Sequence, residues 1–129
     1  KFLNLSLQIF LHRVILGQIS GVFKMKKNFM CTHTWASDEA RIAFFEQSAG
    51  LTDRQLFEGM RTDSAELLAN WMGKEDFFYC HWLAESEDAI FEALDQLGLN
   101  DVMVSMPHEM SRFVTHDNIK DEVLDNPYE

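Results

Sequence analysis

Three capped helix starts, set between four apolar runs of strand character, constrain this chain more than its composition does. Ser37 is followed by Asp38 and Glu39, and Ser86 by Glu87 and Asp88. In each case the serine oxygen can accept from a first-turn N–H, and the acids suit the positive end of the helix dipole. Thr52 and Gln55 have the spacing of a capping box, with Leu51 and Leu56 placed to staple the chain around it. The first helix carries an apolar stripe of Ile42, Phe45 and Ala49 and stops at Gly50. The last carries Ile90, Leu94 and Leu97, and Gly98 ends it in the left-handed conformation.

The intervening runs read as strands. "NFMCTHTW", residues 28–35, alternates with period two, and residues 101–107, "DVMVSMP", form a last strand. Residues 65–84 have helical propensity at their front. Two apolar runs separated by Gly73, Lys74, Glu75 and Asp76 instead favour a hairpin with a four-residue turn. The resulting order, strand, two helices, strand, strand, helix, strand, is that of a ferredoxin-like β-α-β-β-α-β domain. Such an α+β fold has one antiparallel sheet with helices on one face.

A chain of 129 residues is the size of one domain and can bury a core without disulfides. Cys31 and Cys80 each lie inside an apolar run and read as reduced, buried thiols of a cytoplasmic protein. A net charge of −10 excludes a nucleic-acid footprint, which needs clustered Lys and Arg. Every acid lies at or after Asp38, whereas residues 1–27 hold five bases. Residues 1–24 therefore read as an apolar, basic extension, non-native or upstream, ahead of a domain over 25–115 and an acidic tail over 116–129. His12 and Arg13 interrupt the apolar run of the extension, which argues against a membrane span.

Parity sorts the candidate site residues. On the third strand Phe78, Cys80 and Trp82 point one way, toward the helices, and Tyr79 and His81 the other. Placing the shorter Met30, Thr32 and Thr34 beneath the helices puts Cys31, His33 and Trp35 on the open face with Tyr79 and His81. His108, at the end of the last strand, adds a third imidazole. Imidazole and thiolate suit nickel, zinc or copper, so His33, His81 and His108 are candidate ligands, and Cys31, Trp35 and Tyr79 candidate ligand-binding residues. Centred registers leave His33 and His81 about 8 Å apart, so a shared metal needs a register shift or a partner subunit. Against this stands ordinary packing, the commoner role of histidines and aromatics in strands.

The stretch "YCHWLAESEDAI", residues 79–90, resembles the third-strand-to-helix segment of small ferredoxin-like proteins, some of them described as nickel-binding. Its "YC", the alanine before an acidic helix start and the "AI" within the helix carry the likeness, which extends over about residues 27–107. The second short helix in the first crossover departs from the simplest members. The resemblance implies a homodimer paired through its open sheet face, binding a small ligand or a transition metal such as nickel or zinc. An enzyme of the dimeric α+β barrel type with a histidine general base is the alternative, and a pure protein-interaction module a third. No nucleophile motif, phosphate-binding glycine loop or paired-carboxylate signature favours the enzyme.

Overall fold

The structure, a computed structural model, describes residues 24–129. The expected extension lies outside them except for Lys24. Four strands, β1 (Lys27–Trp35), β2 (Ala65–Trp71), β3 (Phe77–Ala84) and β4 (Met103–Met110), form one antiparallel sheet in the order β2-β3-β1-β4. Helices α1 (Asp38–Gln47) and α2 (Asp53–Gly59) fill the first crossover, and α3 (Glu87–Asp95) with a 3-10 turn at Leu99–Asp101 fills the second. The fold is thus α+β, and β1 and β3 are the central neighbours that the sequence leads one to expect.

All three caps form. Ser37 Oγ accepts from Ala40 N at 3.0 Å, and Ser86 Oγ accepts from Ala89 N at 3.1 Å. Thr52 and Gln55 exchange both bonds of the capping box, at 3.0 and 3.1 Å. Gly98 sits at φ +67°, the left-handed region that a glycine enters without steric cost. It lies just past α3, which ends two residues earlier than the stripe through Leu97 implies. The hairpin forms with a five-residue connection, 72–76, and β4 runs to Met110 rather than stopping at Pro107. Beyond it residues 111–129 make an arm without helix or strand.

The core lies between the sheet and α3. Ala89, Ile90, Ala93 and Leu94 of α3 are buried against Trp82, which is itself fully covered. Replacing a side chain of that size by alanine costs about 3–5 kcal/mol. The first crossover packs differently, since neither α1 nor α2 buries a residue. The expected stripe of Ile42, Phe45 and Ala49 is not the packing face, because Phe44, one position along, rests on the core while Phe45 stays 50% exposed.

The expected face of β1 is reversed. Phe29 pairs with Trp82, Cys31 with Cys80 and His33 with Phe78, and directly opposite residues of an antiparallel pair share a face. Cys31, His33 and Trp35 therefore lie on the helix side, and Met30, Thr32 and Thr34 on the other. Covering the larger apolar set removes more nonpolar area from water, and it spares the threonine hydroxyls a burial in which each would need a partner. The open face carries cross-strand rows of Trp71, Tyr79, Thr32 and Met106, and of Ala69, His81, Met30 and His108. The arm returns onto this face, where Phe113 covers the His81 ring with centroids 4.4 Å apart.

Candidate functional site

Loose packing of the first crossover leaves a cavity of about 190 Å³ on the helix side of the sheet. Every layer contributes wall. Trp35 comes from β1, Phe78 and Trp82 from β3, Met103 from β4, Phe44 from α1, Leu56 from α2 and Leu94 from α3. Trp35 organises the aromatic side, with its ring 4.8 Å from Phe78, 5.2 Å from Phe44 and 5.7 Å from Phe45. These separations are those of attractive tilted and edge contacts.

His33 is the buried polar residue of this lining, which also holds the exposed Asp53 and Asn70. It is 0% exposed, its ring stacks on Phe78 at 5.1 Å and 16°, and its Nδ1 shares a hydrogen bond of 2.7 Å with Ser105 Oγ from β4. Nε2, buried as well, has no hydrogen-bond partner among the described residues, and neither does Nε1 of Trp82, which lines the same cavity. Buried polar atoms are almost always satisfied, so two unpaired ones on residues that border one cavity are a chemical feature to be explained. Burial pushes the His33 pKa down to about 4 from its ordinary 6.5, which keeps the imidazole neutral near neutral pH.

The cysteines beside it are not nucleophiles. Burial, with the neighbouring Cys80 as a smaller cause, raises the Cys31 thiol to about 12, and burial raises Cys80 to about 11. Both are free thiols held protonated and unreactive.

A wider cleft of about 750 Å³ adjoins the cavity, between the start of α1 and the β2–β3 connection. Trp35, Phe45 and Met72 line both spaces, so the three side chains form the partition between them. The outer cleft is polar, with Asp38, Arg41, Lys74, Glu75 and Asp76 around it. Of the three shared side chains, Phe45 and Met72 are half exposed.

The six residues singled out by sequence divide between the two faces. His33, Cys31 and Trp35 are on the helix side, with His33 and Trp35 on the cavity wall. Tyr79, His81 and His108 are on the open face, so His33 cannot join the other two histidines within one subunit. His81 is 6% exposed, donates from Nε2 to Asn28 Oδ1 at 2.8 Å, and has its pKa lowered by burial. His81 and His108 flank Met30, two strand spacings or roughly 10 Å apart at the backbone. Among the described residues no three His, Cys, Asp or Glu side chains gather as a metal site.

Phe78 and Trp82 are legible as helix-facing residues from parity, but Phe44 and Ser105 are not. Ser105 becomes visible as a partner of His33 only through the β1–β4 register, in which the two residues are directly opposite. No helix among the described residues is long and apolar enough to cross a membrane. No protein family, curated protein or solved structure matches this chain.

Proposed function

We propose that this protein binds a small organic ligand in the cavity beneath the first crossover, and that it does so as a homodimer paired through the open sheet face. The observation that carries the reading is a mostly apolar cavity bordered by His33, a buried histidine whose Nε2 is unpaired among the described residues. Binding sites for small molecules are mostly apolar with a few placed polar groups, and this wall has that composition. A histidine with its pKa near 4 is a weak base, which supports binding over proton abstraction as the role of His33. The strand order, with β1 and β3 central, supports a ferredoxin-like connection, and the two free thiols support a reducing, cytoplasmic setting. Exposed Trp71, Tyr79 and Met106 in one row of the open face support the dimer.

The test is a titration of the chain with toluene, an apolar ring that needs only space, followed by NMR of the methyl groups of Leu56, Met60 and Met103. Saturable shifts in the wild type, lost in the cavity-filling variant Leu56→Trp, are expected. No saturable shift, or the same shift in the variant, contradicts the proposal. A second reading keeps a transition ion such as nickel or zinc, now on the row of His81, Met30 and His108. Their common face favours it, since imidazole and thioether both suit such ions.

A further inference from the structure

The chemistry of the cavity wall narrows the ligand class, granted the binding role proposed above. Size comes first. A cavity of about 150 Å³ lined by aliphatic and aromatic side chains takes up benzene, so about 190 Å³ accommodates one ring with a small substituent. Shape agrees, because Trp35, Phe44, Phe45 and Phe78 cluster in the lining, and an aromatic lining favours a planar ring over a branched aliphatic group.

Charge comes second. Asp53, at the exposed start of α2, is the one charged side chain on the wall among the described residues, and no Lys or Arg joins it. An anion would meet a carboxylate and no counter-ion. A cation drawn in as far as His33 would leave water for a neutral imidazole. Either transfer carries an uncompensated desolvation cost, so an uncharged ligand is favoured.

Hydrogen bonding comes third. Ser105 Oγ can donate to His33 Nδ1 or accept from it, so Nε2 is correspondingly a donor or an acceptor. A hydroxyl is both donor and acceptor and complements either tautomer, whereas a carbonyl or ether oxygen complements one. A hydroxyl oxygen also suits the N–H of Trp82, which can only donate. We propose that the ligand is a small, uncharged, hydroxylated aromatic ring of the phenol class, whose hydroxyl engages His33 Nε2 while the ring lies against Trp35 and Phe78.

The test compares toluene, p-cresol and 4-methylbenzoate, which share a methylated ring and differ at one position, by NMR titration of the full chain near neutral pH. The expected order is p-cresol about tenfold tighter than toluene, as one buried hydrogen bond gives, with 4-methylbenzoate weakest. In His33→Leu the p-cresol affinity should fall to that of toluene, with toluene binding retained. If His33→Leu does not fold, His33→Phe, which keeps a ring stacked on Phe78, takes its place. Equal affinities for toluene and p-cresol, or tightest binding of 4-methylbenzoate, would overturn the ligand class while leaving the cavity a binding site. A p-cresol preference that survives loss of the imidazole would overturn the role of His33. Failure of all three compounds to bind would remove the binding role and this inference with it.

Discussion

Acidification should single out His33 as a source of lost stability. Its pKa is lowered by burial to about 4 from 6.5, so between those values the unfolded chain binds a proton that the folded chain refuses. Stability from this group is therefore complete above pH 6.5 and is lost as the pH falls toward 4. The loss follows from the two proton-binding equilibria. It is about 0.2 kcal/mol near pH 7, about 1.4 near pH 5.5 and about 3 near pH 4, approaching about 3.4 at lower pH. Cys31, whose Sγ is 4.0 Å from His33 Nδ1, stays a neutral thiol throughout, and Asp53 is the one acid lining the same cavity among the described residues. Urea unfolding of wild type and His33→Leu at these three pH values isolates the effect, because the other titrating groups are common to both proteins. The wild type should lose about 3 kcal/mol more than the variant between neutral pH and pH 4. A gap between the two proteins that does not change with pH would refute the reasoning.

Other consequences are as specific. Thr52→Ala breaks the capping box that starts α2, and should cost about 1 kcal/mol in thermal or urea unfolding; an unchanged midpoint would count against a structural role for that cap. Tyr79→Glu places a carboxylate in the exposed row with Trp71 and Met106, and should shift the molar mass measured by light scattering from dimer to monomer. A monomeric wild type at micromolar concentration would sink the dimer. If nickel or zinc binds the open-face histidines, chelator-treated protein should gain melting temperature on adding the ion, and His81→Ala should lose that gain. No ion-dependent shift in the wild type would end the metal reading.

Much of the architecture is legible in the sequence because it depends on local chemistry. Ser37, Thr52 with Gln55, and Ser86 start helices through bonds that span three residues, and Gly98 turns the chain by a property of its own backbone. What sequence does not fix is which face of β1 the helices cover, since either parity yields a good strand. That choice is made between strands, where Phe29, Cys31 and His33 meet Trp82, Cys80 and Phe78. Placing the smaller side chains inside misjudges the balance, because buried apolar area is gained by the larger set. The same reversal moves His33 from a histidine cluster on the open face to a cavity beneath the helices. The cavity itself lies where α1 and α2, which bury no residue, meet the sheet, a packing that no residue pattern encodes.

The arm is a further case. Composition marks residues 116–129 as acidic and irregular, but the contact that matters comes earlier, where Phe113 lies over His81. It protects an imidazole already tied to Asn28 and narrows the part of the open face available to a partner. Tyr79, 43% exposed, lies outside that cover.

Nitrogen-15 NMR of the His33 imidazole tests the central claim most directly, because the account rests on one atom, the buried and unpaired Nε2. Titrating the wild-type chain with p-cresol should move the Nε2 resonance saturably, with the same dissociation constant as the methyl groups around the cavity, while Nδ1, held by Ser105, moves far less. An Nε2 resonance that stays fixed while p-cresol saturates the protein would place the ligand elsewhere and contradict the account.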